Sequence, residues 1–188
     1  MMDIGQVNVK FFVENPEAVD LEPFLTIFNN WIQSHATEEL LVDVADYRHV
    51  FAGPGVVLIG HEANYSLDNA GDRLGLLYNR KADVPGSNHE RLQQAVRAAL
   101  LAAQRLEEEQ KLKFSGQEAQ IIINDRLIAP NTQETFAALE PDLKVVFNQL
   151  YGEDNYEFER NSEPRERLTV NVRAAQHFDV QTLLGSLS

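Results

Sequence analysis

The stretch VVLIGHEANYSLDNAGDRLGLLYNRK, residues 56–81, decides the predicted fold. It opens with four apolar residues, becomes polar from His61 onward, turns at residues 69–72 and returns to Arg80 and Lys81. Apolar and polar residues alternate along both arms, which is typical of β-strands with one buried face. The stretch therefore predicts a hairpin, with one strand over residues 56–68 and its partner over residues 73–81.

The predicted register of this hairpin follows from pairing Asp68 with Arg73 across the turn. Because side chains alternate along a strand, one face then carries the apolar set and packs against helices. That set is Ala63, Tyr65, Leu67, Leu74, Leu76 and Tyr78. The opposite face, called here the polar face, carries Glu62, Asn64, Ser66, Asp68, Arg73, Gly75, Leu77 and Asn79.

The polar face has two interpretations. The simpler one is the water-exposed side of an antiparallel sheet, with Asp68 and Arg73 as a cross-strand ion pair. The other is a binding surface, because residues 56–59 are apolar on both faces and so predict a cover over the second face. The C-terminal half or a second subunit would supply that cover, leaving a pocket or a partner site beside it. The predicted ligand-binding residues are Asp46, Arg48, Asn64, Asp68, Arg73 and Arg80.

Helices and further strands flank the hairpin. Strands are predicted over residues 6–14, 39–47, 118–125, 155–160 and 167–174 from their alternation and β-branched content. One helix begins at Pro23 and ends near His35, and a second begins at Ser87, whose capping box is completed by Glu90. A third helix is predicted with Asn131 as its cap, a fresh turn at Pro141 and an end at Gly152. Asp179 caps a short last helix.

This order of elements predicts an α+β protein in a single domain, residues 1–188. Its first part matches a ferredoxin-like βαββαβ core with an extra hairpin strand, and the rest forms a C-terminal αββα extension. The segment Leu21-Glu22-Pro23 resembles Leu139-Glu140-Pro141. A degenerate duplication, with halves 1–117 and 118–188, is therefore an alternative organisation.

Composition excludes several classes of function. The chain has 188 residues, 16 basic against 29 acidic, and a net charge of −13. Such an acidic protein is a poor match for nucleic acid and for anionic membranes. The absence of cysteine excludes disulfides, thiolate metal sites and cysteine nucleophiles. The first twenty residues do not read as a signal peptide and no apolar run reaches membrane-spanning length, so a cytoplasmic location is predicted.

An enzymatic alternative uses the histidines around the hairpin. His61 or His49 would act as general base, Glu62 or Asp46 would orient it, and Arg80 or Arg48 would bind an anionic substrate. This hypothesis requires Asp46, His49, His61 and Arg80 to converge in one cleft. The same residue types are competent metal ligands, but no HExxH spacing occurs, so neither a metal nor a cofactor is predicted.

The segments GPGVVLIGHEANYSLD, GLLYNRK, ERLQQAVRAALLAAQRLE and NDRLIAPNT resemble an uncharacterised family of bacterial proteins of similar length. The resemblance covers roughly residues 40–135 and consists of pattern without a catalytic motif. It implies a cytoplasmic bacterial protein and brings no activity, cofactor, partner or site residue.

The leading functional hypothesis is a non-enzymatic module that acts as a homodimer. It would bind an unknown protein partner or a small anionic ligand through the polar face. A further alternative is an assembly factor whose helix from Ser87 packs its apolar stripe on a partner. The sequence does not decide among these hypotheses.

Overall fold

The protein, described here from a computed structural model over residues 2–187, is built on one open antiparallel sheet of eight strands. The elements in chain order are β1 (Val7–Val13), α1 (Pro23–Ser34), β2 (Leu41–Tyr47), β3 (Gly55–Gly60), β4 (Ala63–Asp68), β5 (Gly75–Arg80), α2 (Asn88–Glu109), β6 (Phe114–Ile123), α3 (Gln133–Tyr151), β7 (Tyr156–Arg160), β8 (Leu168–Ala174) and α4 (Val180–Ser186). The strands lie side by side in the order β2-β3-β4-β5-β1-β6-β8-β7.

The α+β class is confirmed, and the chain ends in the predicted αββα order. The more specific ferredoxin-like order is not evident in the eight-stranded sheet. All eight strands belong to one sheet, while the duplication and the division into halves stay predictions. Within residues 2–187, no helix is both long and apolar enough to cross a membrane.

The predicted strand over residues 56–68 is wrong, because the chain reverses in its middle. β3 ends at Gly60 and β4 begins at Ala63, and the two pair antiparallel with Ile59 opposite Asn64. A Cβ on Gly60 would lie 2.4 Å from the carbonyl oxygen of Ala63, so the tight approach of the backbones requires glycine. The change from apolar to polar residues at this point marks a turn between two strands.

The register of the β4–β5 hairpin differs from the predicted one by two residues. Tyr65 lies opposite Tyr78 and Asp68 opposite Gly75, because a short 3₁₀ turn over residues 70–72 lengthens the connection. Since side chains alternate with a period of two, an even shift leaves the face of every residue unchanged. The predicted division into an apolar and a polar face is therefore confirmed.

All four helices within residues 2–187 pack on one face of the sheet. α1 covers β2 and β3, and α2 covers β1 and β5, while α3 and α4 pack on α2 and reach β7 and β6. The core draws its strand residues from this face alone, as with Val9, Phe11, Leu76 and Tyr78. The predicted cover by the C-terminal half is wrong, because α3 and α4 lie on the helix side of the sheet.

Most helix signals are confirmed. Glu90 accepts the backbone N–H of Ser87 at 2.7 Å, and the Asp179 carboxylate accepts the N–H of Thr182. The prediction of Asn131 as a cap is wrong. Thr132 caps α3 instead, and the Asn131 side chain is buried, donating to carbonyl oxygens of the loop that joins β7 to β8.

Candidate functional site

The residues of the enzymatic hypothesis lie in two groups at opposite ends of β3. Asp46, Arg48 and His49 are at the end where Tyr47 pairs with Gly55. His61 follows Gly60 at the other end, and the six residues of β3 separate the two groups by about 16 Å at 3.3 Å per residue. The required cleft is therefore not formed by these histidines. Within residues 2–187, no cluster of three metal-ligating side chains occurs.

The first group satisfies its own charges. Arg48 donates from Nε and Nη2 to the two oxygens of Asp46 at 2.9 and 2.8 Å. These hydrogen bonds lower the pKa of the Asp46 carboxyl to about 2. His49 lies beside the ring of Tyr47, with 6.5 Å between centroids. The pair stabilises a local loop and leaves no free acid–base couple.

The second group is also locally paired. Glu62 lies 3.4 Å from Arg80, whose Nε donates to the carbonyl oxygen of Ala82. The Asn64 side chain accepts the backbone N–H of Gly60 at 3.3 Å. The His61 ring is exposed, and its backbone N–H donates to Leu40. These contacts hold the β3–β4 turn in place.

The polar face contains a buried ion pair that the sequence did not reveal. Lys10 Nζ lies 2.6 Å from Asp68, and the two side chains are 2% and 9% exposed. The predicted pair between Asp68 and Arg73 is wrong, because Arg73 instead forms two hydrogen bonds with Glu118 at 3.0 and 2.8 Å. β1 lies beside β5 and so brings Lys10 to Asp68, a neighbourhood that only the strand order creates.

Amide side chains fill much of the remaining open face and bind one another. Asn8 and Asn124 exchange hydrogen bonds at 3.2 and 2.9 Å, and Arg167 donates to Asn124. Gln120 donates to Asn171 at 2.9 Å. These polar groups are satisfied within the sheet, as buried polar groups generally are.

A groove of about 480 Å³ opens on the helix side, between α2 and the segment after α1. Its volume lies within the range of small-molecule sites. The lining residues come from α1, the following loop, β4 and one stripe of α2. They are Trp31, His35, Ala36, Thr37, Glu38, Glu39, Tyr65, Gln94, Arg97, Ala98, Leu101, Ala102, Gln104 and Arg105.

A buried carboxylate lies in the groove. Glu39 is 8% exposed and accepts hydrogen bonds from the hydroxyls of Tyr65 at 2.8 Å and Tyr78 at 3.3 Å. Among the ion pairs of residues 2–187, none includes Glu39. A buried charge without a counter-charge is costly to hold, so this carboxylate stands apart from the other acidic residues.

Gln94 extends the network by one step. Its Nε2 donates to the Tyr78 hydroxyl at 3.0 Å, which leaves its buried Oε1 without a hydrogen-bond partner within residues 2–187. The orientation of the amide follows from proton counting, because the single Tyr78 proton is given to Glu39 and the Tyr78 oxygen must then accept. The wall of the groove therefore holds a buried acceptor without a donor beside a carboxylate that has no ion pair within residues 2–187.

Both tyrosines of this network are held protonated. Burial raises the pKa of Tyr65, and the neighbouring Glu39 charge raises it further. Burial also raises the pKa of Tyr78, against the lowering effects of the Gln94 amide and the nearby Arg80 guanidinium. Two hydroxyls with raised pKa values are hydrogen-bond donors at neutral pH and poor general bases.

The mouth of the groove carries an aromatic ring and two guanidinium groups. Trp31 Nε1 donates to Glu109 at 2.8 Å, and Arg105 donates to the same carboxylate while lying 5.4 Å from the Trp31 ring centroid. The Arg97 side chain is exposed and has no hydrogen bond or ion pair to any residue in the range 2–187. The Trp31 ring, which is fixed by Glu109, and the Arg97 guanidinium thus lie on either side of the buried Glu39 carboxylate.

Sequence reasoning missed this groove for identifiable reasons. Glu39 was placed at the start of the second predicted strand, where an acidic residue reads as solvent-exposed. Tyr65 and Tyr78 were placed correctly on the core-facing side, and a buried tyrosine hydroxyl requires a partner. That requirement was the one signal in the sequence, although it did not identify Glu39 as the acceptor.

No family model, curated protein or solved structure matches this chain. The resemblance to an uncharacterised bacterial family stays a prediction.

Proposed function

We propose that this protein is a binding module for a small organic molecule, which it holds in the groove between α1 and α2. The observation that carries the proposal is the buried Glu39 carboxylate, which two tyrosine hydroxyls hold and which has no ion pair within residues 2–187. Folding has placed a charged group in a concave site of suitable volume, next to a buried acceptor that has no donor within residues 2–187. A ligand that supplies hydrogen-bond donors would satisfy both.

The β4–β5 hairpin still contributes binding residues in this proposal, but from its apolar face and not from its polar face. Tyr65 and Tyr78 project from β4 and β5 toward the helices, and their rings meet edge to face with centroids 5.2 Å apart. Binding at the polar face has less support, because Asp68 and Arg73 are engaged by partners within the chain. The enzymatic alternative has less support for a similar reason, since His49 and His61 lie at opposite ends of β3.

The test uses Trp31, the single tryptophan of the sequence, which lines the groove. Its emission and the melting temperature would be recorded against a panel of amines, carboxylic acids, amino acids, nucleosides and monosaccharides at millimolar concentration. We expect at least one class to change Trp31 emission and to raise the melting temperature, as any ligand selective for the native state does.

Ala98→Phe would fill the groove and should abolish both responses. Gln93→Ala is the matched control on α2, because Gln93 faces Gln149 of α3 and does not line the groove. A panel without any binder, or a binder unaffected by Ala98→Phe, would overturn the proposed function.

A second proposal concerns the partner, a second copy of this chain paired along β2. This edge strand has β3 as its single strand neighbour within residues 2–187. Val42 in β2, Leu40 just before it and Phe51 in the turn after it are 58%, 61% and 94% exposed, beside the exposed Asp43 and Asp46. The opposite edge β7 exposes Glu157 and Glu159 and, among its described residues, no large apolar side chain. Exposed apolar residues on an edge strand favour pairing with another chain. Light scattering should report a dimer that Val42→Lys dissociates, and a monomeric wild type would contradict the proposal.

A further inference from the structure

We infer that the ligand of the groove is an amino-acid-like zwitterion, a small molecule with a protonated amine and a carboxylate on one apolar body. This inference rests on the proposed binding function and names the ligand class of the same site. Three features of the groove carry it: the buried Glu39 acid, the buried Gln94 acceptor beside it and the Arg97 cation one helical turn away. Within residues 2–187, neither Glu39 nor Arg97 has an ion pair, and the Gln94 acceptor has no donor to satisfy it.

The amine end fits the floor of the groove. Glu39 offers a negative charge, and each carboxylate oxygen retains acceptor capacity beyond the single tyrosine bond that it receives. The Gln94 Oε1 atom is a second acceptor that no group in residues 2–187 satisfies. An ammonium has three donors and one positive charge, so it would compensate the Glu39 charge and donate hydrogen bonds to the acceptor oxygens. A neutral hydroxyl ligand would leave the Glu39 charge uncompensated.

The acid end fits Arg97. Residues three apart on a helix lie on the same side, with about 5–6 Å between Cβ atoms, so Gln94 and Arg97 border the same part of the groove. A guanidinium presents paired donors that match a carboxylate. Glu38 is exposed on the opposite rim, which favours a singly charged carboxylate over a phosphate dianion.

The body of the ligand fits the space between these ends. Ala98 and Leu101 follow on the same stripe of α2, and Trp31 forms the opposing wall. The groove of about 480 Å³ leaves room for a side chain beyond the amine and the carboxylate. An amino acid with a sizeable apolar or aromatic side chain therefore fills it better than glycine.

Isothermal calorimetry on the full chain tests the inference with the twenty common amino acids as probes. The best binder is then compared with its methyl ester, which lacks the negative charge, and with its des-amino analogue, which lacks the amine. We expect each analogue to bind at least tenfold more weakly than the parent amino acid.

Two substitutions, one at each end of the groove, assign the two ends of the ligand. Glu39→Gln should weaken the amino acid and its methyl ester by at least tenfold and leave the des-amino analogue unchanged. Arg97→Gln should weaken the amino acid and the des-amino analogue and leave the methyl ester unchanged. Gln93→Ala, on the α2 face away from the groove, should change none of the three.

The outcomes separate this inference from the proposed function. If a sugar, nucleoside, simple amine or simple acid binds in the groove better than every amino acid, and Ala98→Phe blocks it, the binding module stands and the zwitterion is wrong. If neither panel contains a groove ligand, both are wrong. Equal binding of an amino acid and its two analogues would also overturn the zwitterion assignment.

Discussion

A buried carboxylate lies on each face of the sheet at β4, and the two carboxylates have different partners. On the open face, Asp68 is paired with Lys10 at 2.6 Å. On the helix face, Tyr65 donates to Glu39, which has neutral hydroxyls and no cation as partners within residues 2–187. The charge of Asp68 is thus compensated by a lysine of the same face, whereas the charge of Glu39 is met only by hydrogen bonds from two hydroxyls within residues 2–187. Burial alone therefore does not distinguish the two acids, whereas the ion pair of Asp68 does.

The largest expected effect comes from breaking the pair on the open face. Asp68→Ala should lower the free energy of unfolding by about 3–5 kcal/mol, because it leaves a buried lysine without its counter-charge. Burial already lowers the pKa of Lys10, which shows how poorly its charge is solvated. Urea denaturation measures the change. The double variant Lys10→Met, Asp68→Leu should recover most of the loss, and a single variant as stable as wild type would contradict the comparison.

The second largest loss of stability is expected from removing one tyrosine hydroxyl at the groove. Tyr65→Phe leaves a buried acceptor short of a donor and should cost about 1–3 kcal/mol. Tyr65 has a folded-state pKa above its ordinary value of 10.0, so its contribution is complete below pH 10 and is lost as the pH rises further.

The pH dependence of this variant gives a separate check. Unfolding free energies between pH 8 and 11 should fall less steeply for Tyr65→Phe than for wild type. Tyr47→Phe is the control, since that ring is 43% exposed and its hydroxyl has no hydrogen bond within residues 2–187. Identical alkaline slopes for Tyr65→Phe and wild type would show that Tyr65 does not titrate as described.

A smaller stability effect is expected at the carboxylate itself. Glu39→Gln removes the buried charge and keeps an acceptor for Tyr65, so the free energy of unfolding should change by less than about 1 kcal/mol or rise. The same charge-neutralising change on the other face, Asp68→Asn, should cost several times more because Lys10 then stays charged and unpaired. Equal losses from the two variants, measured in parallel in urea, would erase the distinction between the two acids.

The smallest effect is expected at the surface of the open face. Arg73 is about half exposed, pairs with Glu118 and lies 3.8 Å from the Phe12 ring centroid. Exposed ion pairs contribute about 0–1 kcal/mol, so Arg73→Ala should lower stability by no more than that. Its effect should shrink further in high salt, which a urea titration at two ionic strengths would measure. A loss comparable to that of Asp68→Ala would mean that Arg73 supports the buried pair.

Local patterns predicted what local forces control. The two faces of the hairpin, the capping box of Ser87 and Glu90 and the cap at Asp179 all depend on residues close together in the chain. The errors had a common origin in longer-range geometry. A strand was extended through the turn at Gly60, and Asp68 was paired with its neighbour Arg73 because the position of Lys10 was not available from alternation.

The candidate site shows the same division at the level of single residues. The histidines and charged residues around the hairpin were predicted to form one site because of their residue types, but the length of β3 keeps them apart. The groove brings together Glu39, Tyr65, Tyr78 and Gln94, which span 55 positions between the first and the last. No spacing rule joins these residues, since they come from a loop, two strands and a helix.

The sequence by itself determined the α+β class, the acidic and cysteine-free chemistry, most of the helix ends and the face on which each residue of β4 and β5 lies. These properties follow from composition and from periods of two and 3.6 residues, which act within a few positions of the chain. Only the tertiary structure decided that the sheet has eight strands, that Asp68 pairs with Lys10 and that Glu39 lies buried with no ion pair among residues 2–187. The physical reason is that strand order and helix packing set which distant charges become neighbours, and no local pattern encodes that choice.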